Sequence, residues 1–197
     1  MILTIASEHV LTASSAIADS MATALARRRA RAGRNVLLVY QNPATVQTPD
    51  AAAGWLATEI KTGAEIRTIA ANDIGAELAS AKTRYHDILV HLPKHTDASS
   101  HTVLANADLA LFAIPADESQ ADAQLAASVH AVSVRNTGLQ LLVLIDDNAA
   151  GRSIMSSLAR KIAHIRFSNL SAQRRDEVTI SALYHVIYAN CMAACAS

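Results

Sequence analysis

The stretch ILTIASEHVLTASSA, Ile2–Ala16, joins a short apolar run to the start of a long helical pattern. ILTIA (Ile2–Ala6) reads as a strand, and from Ala13 to Ala32 the residues Ile17, Met21 and Leu25 recur on one helical stripe. Gly33 stands where a helix C-terminal cap belongs, and NVLLVY (Asn35–Tyr40) resumes the strand pattern. This order predicts a βαβ unit. The loop after the first strand of such a unit often cradles a phosphate, yet residues 7–15, SEHVLTASS, contain neither glycine nor lysine.

The same alternation continues along the chain. Further strands are expected at Glu65–Ala70, Asp87–Leu92, Leu109–Ile114, Leu139–Ile145 and Ala163–Phe167. Helices are expected at about Asp50–Ile60, Asp73–Thr83, Ser119–Val134, Ser153–Ala163 and Glu177–Ala194, with Asp50 and Asp73 as N-caps. Several strands are nearly continuous apolar runs, as parallel strands covered on both faces are. The expected fold is α/β, a doubly wound and mostly parallel sheet of about seven strands with helices on both faces. No composition shift, repeat or linker divides residues 1–197, so a single domain is expected.

Composition narrows the function classes. Seventeen basic and seventeen acidic residues cancel, so net charge points to no polyanionic partner. Charged residues are 17% of the chain, below the roughly 25% of average soluble domains. Cys191 and Cys195 lie one helical turn apart, a spacing that suits neither a disulfide framework nor a four-ligand zinc site. MILTIASEH lacks the basic region and long apolar core of a signal peptide, and no apolar run reaches membrane-spanning length. A cytoplasmic protein without a transmembrane segment is expected.

Ligands of doubly wound folds bind beyond the carboxyl ends of the strands, so the segments after Ala6, Tyr40, Leu92 and Ile114 carry the functional reading. Here the chain resembles the ParA/MinD family of P-loop ATPases, over about residues 1–145. The family's strand, A-S-x-K-G-G-V-G-K-S/T loop and helix ending A-x-R-G-x-R-V-L-L-V-D-x-D-P resemble TIASEHVLTASSA and ARAGRNVLLVYQNPA. Its Y-D-x-V-I-I-D-x-P-P is similar to YHDILVHLPK (Tyr85–Lys94), and its A-A-D-L-V-L-I-P-V-x-P-S to NADLALFAIPADESQADA.

The framework matches while the nucleotide-contacting positions depart. On this resemblance the dimer-bridging lysine falls at His9 and the phosphate-binding lysine at Ser14. The loop glycines fall at Val10, Leu11 and Ala13, the magnesium-holding hydroxyl at Ser15 or a neighbour, and the acids at Tyr40, Asn42 and His91. A phosphate cradle turns consecutive backbone N–H groups inward, which glycine does at no steric cost and a β-branched or bulky residue resists. Loss of the lysine and acids removes the charge that stabilises phosphoryl transfer and the oxygen ligands that magnesium prefers. The resemblance therefore implies a pseudo-ATPase with a degenerate Walker A loop, no catalytic residue, no cofactor and a vestigial site at His9, Ser14, Ser15, Tyr40, Asn42 and His91.

It further implies a homodimer and a protein partner within a larger assembly, of the pilus, secretion, cellulose or plasmid-partition kind. The expected partner or dimer interface comprises His9, Val10, Leu11, Tyr40, Asn42, His91 and His95, with Tyr184, Ile187 and Tyr188 of the last helix. That helix reads as a core or interface helix and not as a membrane-surface helix, because no Lys or Arg follows Arg175. Two alternatives use other residues. An enzyme with a remodelled pocket would use His9, His91 and a metal, with His86, His95 and His101 nearby, but these spacings match no standard zinc pattern. A non-specific DNA-binding module would use Arg27, Arg28, Arg29, Arg31 and Arg34, which read more simply as a solvated helix end complementing the dipole; nucleic acid is therefore the less favoured partner. Asp117, Glu118 and Asp122 read as a loop entering a helix rather than as paired catalytic acids.

Overall fold

A computed structural model describes residues 1–7, 13–41, 54–60, 64–70, 74–92, 98–114, 134, 136–145, 152, 155–156, 158–160, 165–168 and 177–194. Its strands are β1 (Ile2–Ser7), β2 (Val36–Gln41), β3 (Gly54–Ile60), β4 (Ala64–Ala70), β5 (Asp87–Leu92), β6 (Leu109–Ile114), β7 (Gln140–Ile145) and β8 (Ile165–Ser168). The labelled helices are α1 (Ala13–Arg31), α2 (Ile74–Lys82), α3 (Ala98–Asn106) and α4 (Glu177–Ala194). One sheet takes all eight strands in the order β4-β3-β2-β5-β1-β6-β7-β8. From β2 to β8 neighbours are parallel, whereas β3 is antiparallel to both β2 and β4.

Alternation along the strands divides the core into two layers. On one face Leu37, Val39, Ile88, Val90, Ala110 and Val143 pack with Ile74 and Leu78 of α2, Val103 and Leu104 of α3, and Leu158. On the other face Leu3, Ile5, Leu38, Leu89, Leu111 and Leu142 pack with Met21 and Leu25 of α1 and Leu183 and Ile187 of α4. The doubly wound, mostly parallel α/β reading holds.

The expected helix over Asp50–Ile60 is not formed: residues 54–60 are strand β3, which brings the sheet to eight strands instead of about seven. Alanines 51–53 favour a helix by propensity, but β2 offers an open edge and the next residues fit it in alternation. Trp55 and Ala57 lie buried on the α2 side, and Ile60 packs on the α1 side. Ile60 pairs with Ala64 across Lys61-Thr62-Gly63, the short glycine-containing connection typical of a hairpin. Helix α3 was not anticipated either, because ASSHTVLAN is short and its apolar side is only Val103 and Leu104.

The remaining elements lie within about two residues of their expected bounds where they are described. Gly33 closes α1 as anticipated: its φ is 78°, its N–H donates to Ala30 O at 3.0 Å, and Arg34 N–H donates to Arg29 O at 3.2 Å. This is the Schellman arrangement, which a β-substituted residue enters at a cost. The expected helix over Ser119–Val134 lies outside the described residues except for Val134, and Asp50 and Asp73 lie outside them too.

Candidate functional site

The strand order places a topological switch point between β1 and β5. From β1 the chain crosses by α1 to β2 on one side, and from β5 it crosses by α3 to β6 on the other. In such folds the crevice beyond the carboxyl ends of these strands receives the ligand. In register, Tyr40 of β2 pairs with His91 of β5, which pairs with Ile5 of β1. Adjacent strands lie about 4.8 Å apart, so Tyr40 and His91 are direct neighbours at the crevice edge. His91 is 7% exposed, and Tyr40 packs half-buried on the α1–α4 face.

Two of the positions at which the resemblance expects acids are thus brought together. Ser14 and Ser15 fall in the first turn of α1, which starts on the far side of the connection from β1. His9, Val10, Leu11, Asn42 and His95 lie outside the described residues, as does the acidic segment with Asp117, Glu118 and Asp122.

Among the described residues the histidines of the metal reading are not brought together, while His9 and His95 lie outside them. His86 precedes the amino end of β5 and His91 is near its carboxyl end, five residues on and about 16 Å away at strand rise. His86 instead accepts a hydrogen bond at Nδ1 from Asn35 N–H at 2.9 Å, and His101 is carried on α3. Among the described residues no three His, Cys, Asp or Glu side chains converge as a metal site would need.

The arginine run divides in a way the sequence reading did not foresee. Arg29 crosses from α1 to the amino end of β5, where Nε and Nη2 both lie 2.8 Å from Asp87 Oδ2. Asp87 is only 2% exposed, and Arg34 Nε approaches the same oxygen at 3.7 Å. Arg29 Nη1 donates to Tyr184 Oη at 3.2 Å, and its guanidinium lies 4.0 Å from the centroid of the Tyr188 ring. Arg28 donates to Ser181 Oγ at 2.9 Å and stacks over Tyr184 at 5.1 Å. Burial opposes the Arg29 charge, but the hydrogen bonds to Asp87 and Tyr184 and the Asp87 charge outweigh it and raise its pKa above the ordinary value. Arg27 and Arg31 remain exposed.

This cluster also accounts for the last helix. Ile187 is fully buried and Tyr188 is 6% exposed, both covered by α1 and the sheet of their own chain, while Tyr184 is half-buried under the two arginines. The core role weighed for this helix describes Ile187 and Tyr188; Tyr184 keeps some outer surface. One signal for the cluster was present in DILVHL: an aspartate heading a buried strand needs a cation, and the arginine-rich end of α1 is the nearest source.

No protein-family model matches the chain, and no curated protein matches it either. Solved structures do. A plasmid partition protein from Borrelia burgdorferi superposes with TM-score 0.60 at 12% identity over 96% of this chain and 98% of that one. A cobyrinic acid a,c-diamide synthase from Mycobacterium smegmatis, with bound ADP and magnesium, superposes with TM-score 0.59 at 11% identity over 95% and 94%. MinD in the MinC:MinD cell division complex of Aquifex aeolicus gives TM-score 0.50 at 16% identity over 82% and 78%. Identity this low speaks of architecture alone, and the architecture is that of the ParA/MinD-type P-loop ATPases.

Proposed function

We propose that the chain is a non-catalytic ParA/MinD-like scaffold, a cytoplasmic protein that dimerises and holds a partner complex without hydrolysing ATP. The observation that carries this reading is the Tyr40–His91 pair at the switch point. The resemblance puts magnesium-holding acids at these positions, and neither an aromatic ring nor an imidazole packed at 7% exposure replaces a carboxylate for a hard cation. The absence of glycine and lysine from residues 7–15 supports the same conclusion. Relatives in fold include proteins of plasmid partition and cell division, which favours an assembly-positioning role.

The partner or dimer surface on this reading is the carboxyl edge: His9, Val10 and Leu11, Tyr40 and Asn42, and His91 to His95, with the outer part of Tyr184 secondary. Among the described residues no helix is long and apolar enough to cross a membrane. Calorimetric titration with MgATP and MgADP, beside a solution mass, tests the proposal. Flat titrations and a mass of two chains are expected. Micromolar nucleotide binding overturns the scaffold reading in favour of a nucleotide-responsive switch, and a stoichiometric transition metal in the purified protein overturns it in favour of a metalloenzyme.

A further inference from the structure

The two end strands of the sheet differ. At one end β8 has four residues, the short form in which edge strands resist pairing with another chain. At the other end β4 has seven, AEIRTIA, and among the described strands it pairs with β3 alone. Its sequence holds no proline and no lysine, the residues that commonly blunt an edge. Its two charged residues, Glu65 and Arg67, are of opposite sign and two positions apart, so alternation places both on one face of the sheet.

The register sets a like-charge pair beside that edge. Glu65 stands directly opposite Glu59 of β3, and acids so placed destabilise a strand pair. Glu59 accepts a hydrogen bond from the Tyr85 hydroxyl at 3.4 Å, but a neutral donor does not cancel the charge across from it. Arg67 of the same chain stands opposite Ala57, so it is diagonal to Glu59 and faces neither acid directly. A strand added beside β4 with a cation opposite Glu65 offsets the two acids.

We infer that β4 pairs antiparallel with β4 of a second copy about a two-fold axis at Ile66, joining two sheets into one. In that register Glu65 of each copy stands opposite Arg67 of the other, and Ala64 of each opposite Thr68 of the other. The second copy is the occupant because β4 is its own electrostatic complement there. Moving the axis to Glu65 or to Arg67, the adjacent registers that keep the same sheet faces together, sets a like charge against itself. The contact is isologous and closes at two chains. It adds to the scaffold reading the side through which its two copies meet, and it leaves the carboxyl edge to the partner.

Charge reversal, read by sedimentation of the full chain, tests this pairing. Glu65→Arg alone sets Arg against Arg, and Arg67→Glu alone sets Glu against Glu, twice in each dimer. Each is expected to weaken dimerisation about tenfold. A mixture of the two variants restores both opposite-charge pairs and is expected to dimerise as the original chain does, which an unfolded variant would not do. Ile66→Cys, made with Cys191→Ser and Cys195→Ser, lies on the axis, where opposed Cα atoms are about 4.5–5.5 Å apart and within disulfide reach, so oxidation is expected to cross-link it. Ile69→Cys in the same background is the control, because its two copies lie about 20 Å apart along the strands. Single variants that dimerise as the original chain does, a mixture no more dimeric than its parts, or Ile66→Cys protein that cross-links no better than the control overturns the inference. The scaffold reading fails separately: a dimer unmoved by every substitution retains it, whereas micromolar MgATP binding removes it and leaves the strand pairing in place.

Discussion

Arg29 and Asp87 form the most demanding contact in the described structure, because a carboxylate at 2% exposure is stabilised only while its cation stays in place. Replacing Arg29 with Met keeps most of the side chain's volume but leaves Asp87 buried without its main counter-charge. A loss of about 3–5 kcal/mol is expected, read by urea denaturation. Tyr184→Phe removes a single hydrogen bond and keeps the ring beneath Arg28, so a loss of about 0.5–1.5 kcal/mol is expected. Equal effects of the two substitutions would refute the primacy of the ion pair. A group whose folded pKa is raised contributes its stabilisation below the unfolded value and loses it only as pH climbs past the folded one. The Arg29 contribution is therefore constant through the neutral range. In the sequence this contact was half legible: the basic helix end and the aspartate were both visible, but not that α1 and β5 would meet there.

The elements divide by how much of their structure is local. Strands β1, β5 and β6 and helix α1 were legible because continuous apolar runs and a periodic segment capped by Gly33 admit few other readings. Strand β3 was not, because its conformation is imposed by β2 and β4 against the helix propensity of the preceding alanines. Trp55, the single tryptophan, reports on it directly. Its ring is fully buried between β3 and α2, and its Nε1 has no hydrogen-bond partner among the described residues. Its fluorescence is expected to be blue-shifted from that of the unfolded chain and shielded from iodide; emission like that of the unfolded chain would reject the buried strand. Trp55→Phe discards the unpaired N–H along with some packing and is expected to cost less than about 2 kcal/mol, whereas Trp55→Ala opens a cavity worth about 3–5 kcal/mol.

At the scale of the molecule, the described helices and strands make up two layers of core, one on each face of the sheet. That framework superposes on a plasmid partition protein at 12% identity. The resemblance made the neighbourhood of Tyr40 and His91 legible before their pairing was known, since framework and site occupy the same strands; side chains in the loops leave no such pattern. If the crevice has been rewritten as a whole, restoring its acids alone does not restore nucleotide binding. The double substitution Tyr40→Asp, His91→Asp supplies carboxylates where the resemblance expects them, yet residues 8–15 still lack the glycines that turn backbone N–H groups inward and the lysine that meets the phosphates. Calorimetric titration of this variant with MgATP is expected to stay flat. Its melting temperature should also fall, because a carboxylate at the 7%-exposed position of His91 loses water without gaining a cation there. Micromolar binding by the double variant would mean that the loop still forms a phosphate cradle and that the acids alone were missing. A flat titration that becomes productive only when residues 8–15 are exchanged for the family's glycine-rich loop would place the loss of binding in the backbone of that loop.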